Sequence, residues 1–98
     1  MSQPVTRKGD KTTGHGPWQP RPSTSASGDV FANNIGVVRE GDSWAPHNGS
    51  PNGRHKGETG YTSAGSGTVF ANNKAVARIG DPVEADTIAA GSTTVFAG

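Results

Sequence analysis

A fifteen-residue unit occurs twice in this chain, and it constrains the fold more than any other feature. Residues 28–42 read GDVFANNIGVVREGD and residues 67–81 read GTVFANNKAVARIGD, with ten identities in fifteen positions. Residues 5–10 (VTRKGD) repeat the second half of the unit, and residues 95–97 (VFA) repeat the start of its first half. The pattern predicts three copies of one unit, the third being completed when the two ends of the chain meet.

Each unit has the pattern of a β-hairpin followed by a loop. Val-Phe-Ala favours a strand, and the Asn-Asn pair tolerates the positive φ of a tight turn. Residues 37–39 and 76–78 are predicted return strands, which end at Gly-Asp turns. We expect residues 95–97 to pair with residues 4–7 as the third hairpin. The fold class is therefore mostly β, a ring of short hairpins with pseudo-three-fold symmetry.

The loops after the Gly-Asp turns differ in length. From Asp to the next Val they span 20, 27 and 14 positions. They are rich in Gly, Pro, Ser and Asn and lack an apolar pattern of helical period. We expect them to be irregular and packed against one another.

The composition leaves little apolar material for a core. The chain has 98 residues, of which 30% are hydrophobic, and no cysteine. We therefore expect a single domain over residues 1–98. A domain of this size with a thin core usually needs a disulfide, a metal or a partner. Without cysteine, a metal or a partner remains.

The three histidines, His15, His47 and His55, all lie in the loops. His15 and His47 stand five positions after Asp10 and Asp42, and the same offset from Asp81 gives Asp86. Rotation of the units would bring such positions together, with His55 reaching in from the longest loop. Imidazoles that converge in this way suit Zn²⁺, with Fe²⁺ as the alternative. The fourth ligand stays open between Asp86, water and a backbone group, and the competing interpretation is three ordinary loop histidines.

Several other residues repeat with the unit. The phenylalanines and the valines before them form two sets, of which we expect one in the core and the other as an apolar floor for a partner: Phe31, Phe70, Phe96 and Val30, Val69, Val95. Arg7, Arg39 and Arg78 accompany the Gly-Asp turns, and we expect them to bridge neighbouring turns. Trp18 and Trp44 are expected to pack over the loop interior.

Charge and hydropathy exclude several functions. Nine Lys and Arg against eight Asp and Glu give a net charge of +1 without a basic stripe, which disfavours nucleic acid as a partner. The start of the chain lacks the apolar stretch of a signal peptide, and no segment approaches the roughly 20 apolar residues that span a bilayer.

A small zinc-dependent hydrolase with Glu58 or Glu84 as base is the alternative to a structural metal protein.

Residues 4–7 (PVTR), 36–39 (GVVR) and 75–78 (AVAR) resemble the Pro-Ala-Ala-Arg signature of the PAAR-repeat family. Residues 14–16, 41–47, 65–70 and 91–98 add to the resemblance, which covers nearly the whole chain. Pro17 and Ala85 occupy the positions at which members of the family commonly have cysteine. The resemblance assigns the metal to the positions of His15, His47 and His55.

The resemblance implies a small conical domain whose irregular loops are tied by one structural metal ion near the apex. It implies a structural, non-enzymatic role as the membrane-piercing tip of a contractile injection machine. One chain would bind and sharpen the end of a trimeric β-helical spike and contact the target outer membrane transiently. The location would be the tail baseplate of a phage virion, or the bacterial cytoplasm before type VI secretion. Some members of the family carry extension domains, and we expect no extension domain here and a monomer on its own. The resemblance leaves the partner-binding residues unassigned.

Overall fold

The computed structural model describes residues 2–14, 19–46, 60–84 and 86–98. In these residues the regular structure consists of two-residue strands paired as antiparallel hairpins, and there is no helix. Accordingly, no helix in the described residues is long and apolar enough to cross a membrane. The strands are β1 (Gln3–Pro4), β2 (Phe31–Ala32), β3 (Ile35–Gly36), β4 (Ser43–Trp44), β5 (Gly60–Tyr61), β6 (Phe70–Ala71), β7 (Lys74–Ala75), β8 (Pro82–Val83), β9 (Asp86–Thr87) and β10 (Phe96–Ala97).

Three of the hairpins form one layer, which we call the hairpin layer: β2–β3, β6–β7 and β10–β1. The first two turn at Asn33-Asn34 and Asn72-Asn73, whose φ values of 55° and 65° recur in both. Asparagine tolerates this left-handed region better than most residues, so the repeated pair selects the tight turn. The third hairpin pairs Phe96 with Pro4 and joins the two ends of the chain, as predicted.

The segment after each hairpin takes part in a closed triangle at the centre of the molecule. The amide of Thr6 donates to the carbonyl of Ala77 at 3.0 Å, Ala77 donates to Val38 at 2.8 Å, and Val38 donates to Thr6 at 2.9 Å. The strands that return in the two hairpins are Ile35–Gly36 and Lys74–Ala75. They end just before the predicted return strands, residues 37–39 and 76–78, because those residues bond to the other units. The triangle confirms that the three units surround a common pseudo-three-fold axis.

The loops are not irregular throughout, which corrects the expectation from their composition. Each begins and ends in a paired stem: Lys11 bridges to Pro22, β4 pairs with β5, and β8 pairs with β9. Neighbouring stems are joined into a second ring, which we call the stem layer, through the bridges Thr12–Ile88, Ser23–Trp44 and Thr62–Val83. The two-residue strands are too short for alternation to be visible in the sequence, which hid the stems.

Two small cores lie on opposite faces of the central triangle, because consecutive strand residues point to opposite sides. On the hairpin side are Val5, Ala32, Val37, Ala71, Val76 and Ala97, and on the stem side are Val38, Trp44, Ala77, Val83 and Ile88. The residue that each hairpin strand buries is the alanine. The prediction that either the phenylalanines or the valines before them form the core was wrong, since both sets are exposed.

Candidate docking surface and axial site

The Arg-x-Gly-Asp segment of each unit forms a tight turn closed by its own arginine. In the second unit, the Arg39 amide and Nε donate to Asp42 Oδ2 at 2.7 and 2.9 Å, and Nη2 donates to Oδ1 at 2.9 Å. The glycine between them has a φ of +90°, a backbone angle that L side chains rarely adopt. The same bonds recur between Arg7 and Asp10 and between Arg78 and Asp81.

The ion pairs of the second and third turns shift the pKa of three of their groups, Arg39, Asp42 and Arg78. Burial raises the pKa of the Asp42 carboxyl, but hydrogen bonds from Arg39 and Ser25 outweigh burial and bring that pKa below its ordinary value. The hydrogen bond to Asp42 correspondingly raises the pKa of Arg39, and Asp81 has the same effect on Arg78. The turn of the second unit therefore holds a charged pair that remains ionised at neutral pH.

The same arginines connect neighbouring units, as predicted. Arg39 Nη1 donates to Asn72 Oδ1 at 3.0 Å, and this amide oxygen also accepts from Ser27 Oγ at 2.6 Å. Arg7 and Ser92 make the equivalent bonds to Asn33. At the third position, where the chain opens, Arg78 donates to Gln3 and Ser66 donates to the carbonyl of Gly98. The inter-unit link is thus retained at the junction of the two chain ends with different partners.

An apolar ring surrounds the hairpin layer, and we call it the collar: Val30, Phe31, Val69, Phe70, Val95 and Phe96. The three phenylalanines are 56%, 58% and 52% exposed, and the three valines are 39%, 40% and 37% exposed. Exposed apolar patches mark interaction sites and aromatic residues are enriched at interfaces, which makes the collar a candidate docking surface. The near-equal exposure shows that the three units present the same apolar surface.

Three equivalent positions of the stem layer bring Arg21, Gly60 and Asp86 together at the pseudo-axis. The side chains of Arg21 and Asp86 are 3% and 0% exposed and form an ion pair with Nε 3.2 Å from Oδ2. Thr12 Oγ1 donates to the same oxygen at 2.8 Å. A Cβ on Gly60 would lie 2.5 Å from Arg21 Nη2, so glycine provides the space for the guanidinium. We call this arrangement the axial pair.

The axial pair changes the assessment of Asp86 as a fourth metal ligand. Its Oδ2 already accepts from Thr12 and Arg21, which disfavours metal coordination through that oxygen. The predicted ligands His15, His47 and His55 lie outside the described residues. Within the described ranges, no three His, Cys, Asp or Glu side chains form a group able to hold a metal.

The stem layer places the roots of the histidine-bearing loops side by side. Residues 13–20 leave from the stem of Lys11 and Pro22, and residues 45–59 leave from the stem of β4 and β5. These stems are joined by the Ser23–Trp44 bridge and by a hydrogen bond of 2.9 Å from the Ala45 amide to the Pro22 carbonyl. Both histidine-bearing segments therefore start from one end of the molecule, opposite the hairpin layer.

The remaining predicted residues have mixed outcomes. Trp44 is fully buried in the stem core and donates through Nε1 to Thr62 Oγ1 at 2.8 Å, which confirms a packing role. Glu84 is exposed at the β8–β9 turn with a φ of 54°. Trp18 and Glu58 lie outside the described residues.

Sequence reasoning did not identify Arg21 or Gly60. Both lie on the return side of a stem, whose register depends on loops of unequal length. The five-position offset from Asp81 pointed to Asp86, which lies on β9, the return side of the third stem. The signal available for Arg21 was an isolated arginine within a Gly- and Pro-rich loop, which by itself indicates nothing about burial.

Comparison with known proteins agrees with this architecture. A family model described as the PAAR motif matches residues 8–86, which is most of the chain. A search among curated proteins finds no match. The matched range includes both full repeats, the first two stems and the axial pair, and it ends at Asp86 within the third stem.

Proposed function

This chain belongs to the PAAR motif family, which is associated with the spike tips of contractile injection systems. From this membership we propose that the chain binds the blunt end of a trimeric β-helical spike, one chain per trimer, and forms its membrane-piercing tip. Proteins of this family are structural and sit on spike proteins, so no catalytic role is assigned. The location follows from the machine, either a phage tail baseplate or a type VI secretion apparatus.

The observation that carries the proposal is the collar. A homotrimeric spike ends in three identical chains, so it presents the same surface three times around its axis. A single polypeptide matches such an end only if it repeats its own contact residues at three-fold positions. The collar does this, with Val-Phe in every unit and phenylalanine exposures between 52% and 58%.

The energetic contribution of the collar follows from its exposed area. Burying a phenylalanine fully is worth about 1.5–3 kcal/mol, and here about half of each side chain is still available for burial. Each phenylalanine therefore contributes on the order of 1 kcal/mol to docking, and three together about 3 kcal/mol. This is enough to raise affinity by roughly two orders of magnitude.

We also propose that His15, His47 and His55 bind one structural metal ion, Zn²⁺ or Fe²⁺, at the end opposite the collar. Support comes from the adjacent roots of the two loops that carry them and from the suitability of imidazole for these ions. When bound, the metal would tie the loops together. A tied, compact end suits a tip that must cross an outer membrane under force.

The test is a binding measurement with the purified chain and the trimeric spike protein of the same machine. We expect native mass spectrometry to detect one chain per trimer. Phe31→Ala, Phe70→Ala and Phe96→Ala should each weaken binding about fivefold, equally within a factor of about three, because each removes one of three equivalent contacts. The triple variant should weaken binding at least about 100-fold.

Tyr61→Ala is the matched control. Tyr61 is 51% exposed, close to the collar phenylalanines, but it lies on β5 in the stem layer. Its replacement should leave the affinity unchanged. Three chains per trimer, or a strong effect at one phenylalanine with none at the other two, would contradict docking along a shared three-fold axis.

A further inference from the structure

Two charged residues flank the collar, and neither is repeated. Asp29 precedes Val30, and the equivalent positions in the other units are Thr68 and Thr94. Lys74 pairs with Ala71 in the β6–β7 hairpin, and its equivalents by register are Ile35 and Gln3. The collar residues are identical in every unit, whereas the charges beside them differ from unit to unit.

This difference constrains the chemistry of the partner, if the proposed docking to a homotrimer holds. The three chains of the spike are identical, so the spike residue that contacts Lys74 also contacts Ile35 and Gln3 at the other two positions. A carboxylate that pairs with Lys74 would therefore face Ile35 without a counter-charge. An exposed ion pair gains little, whereas desolvating an unpaired charge against an apolar side chain is costly.

The structure lets both charges remain outside the docking contact. Asn72 Nδ2 donates to Asp29 Oδ2 at 2.9 Å, so the Asp29 carboxylate has a hydrogen-bond donor within the chain. Lys74 is exposed, and a lysine side chain can extend its ammonium to water while its methylenes cover apolar surface. Neither group needs an opposite charge on the partner.

We infer that the end of the spike that meets the collar is uncharged at these flanking positions and offers three equal apolar pockets. Recognition then depends on shape and burial, not on charge. The three docking orientations, related by 120° rotation, have equal energy because the homotrimer cannot distinguish them. Binding should accordingly depend little on ionic strength.

The experiment measures the dissociation constant for the trimeric spike protein of the same machine at 50 and 500 mM NaCl. Screening at the higher salt would weaken any ionic contribution to binding. Because we expect no such contribution, the dissociation constant should change by less than about twofold. Lys74→Glu is compared with the neutral Lys74→Gln, and the two should bind within about threefold of each other. Lys11→Glu, an exposed position in the stem layer, controls for net charge.

Each outcome has a defined meaning. A tenfold or greater weakening at high salt, together with a comparable loss in Lys74→Glu relative to Lys74→Gln, would overturn the inference and indicate an acidic spike end. Loss in Lys11→Glu as large as in Lys74→Glu would also overturn it, by showing long-range charge attraction. Absence of any complex at either salt concentration would instead refute the proposed function on which the inference rests.

Discussion

Replacing Asp86 with asparagine is expected to destabilise the protein more than any other single change at a charged residue. Asp86 and Arg21 are 0% and 3% exposed at their side chains, so the substitution leaves the Arg21 guanidinium buried without its counter-charge. Breaking a buried pair by removing one partner costs about 3–5 kcal/mol. Because asparagine can still accept from Thr12, we expect about 3 kcal/mol, the lower end of that range.

Urea denaturation followed by tryptophan fluorescence measures this loss, because Trp44 is buried in the stem core next to the site. With a slope of about 1.5 kcal/mol/M, a loss of 3 kcal/mol lowers the midpoint by about 2 M. Asp29→Asn is the control, since Asp29 is exposed and accepts one surface hydrogen bond. It should change stability by less than about 0.5 kcal/mol.

Two further variants separate the ion pair from metal binding. Arg21→Met removes the member of the pair that cannot bind a metal. It should lower the free energy of unfolding by as much as Asp86→Asn does. The double variant Arg21→Met/Asp86→Leu replaces the pair with apolar side chains and should be more stable than either single variant. A loss in Asp86→Asn that disappears in EDTA while Arg21→Met is harmless would refute the axial pair and identify Asp86 as a ligand.

Two predictions concern pH and metal. The pKa of Asp42 is lowered in the folded chain, so its contribution to stability is present above the ordinary carboxyl pKa and is lost as pH falls through the folded value. The thermal unfolding midpoint should therefore decrease as the pH is lowered below about 4, and this decrease should be smaller in Asp42→Asn. An equal decrease in the variant would contradict the role of this carboxylate. If the histidines bind a structural metal, chelation should lower the unfolding free energy by several kcal/mol, and His47→Ala should reduce the bound metal from about one ion per chain to a small fraction. Wild-type protein that contains no transition metal by elemental analysis would refute the site.

Much of the hairpin layer was predictable because its determinants are local and repeated. The Asn-Asn turn, the Gly-Asp turn and the pairing of residues 95–97 with the start of the chain all follow from short motifs whose backbone requirements are known. Symmetry then supplied long-range information that a single sequence rarely contains. Three copies of one hairpin need a shared centre, and the hydrogen-bonded triangle of Thr6, Val38 and Ala77 provides it.

The assignment of faces was not predictable in the same way. Alternation says that Phe31 and Ala32 point to opposite sides, but hydrophobicity would place the phenylalanine inside. The structure buries Ala32 because the three units meet around a narrow axis where three valines, Val5, Val37 and Val76, already fill the space. Crowding at an axis is a tertiary property, and it moved the large side chain to the surface.

Comparison of the collar with the axial pair shows how one chain uses approximate symmetry in two ways. The collar residues are identical in all units, as a contact with three identical chains requires. The axial positions hold three different residues, Arg21, Gly60 and Asp86, which contact one another. An exact trimer would bring together three arginines or three aspartates at this place. One chain can instead combine a cation, an anion and the space that the cation needs. Covalent linkage of the three units thus permits a charge-compensated axis under a symmetric outer surface. Gly60→Ala tests this directly, because the added methyl would lie 2.6 Å from Arg21 Cζ and should disrupt the axial pair while leaving the collar unchanged.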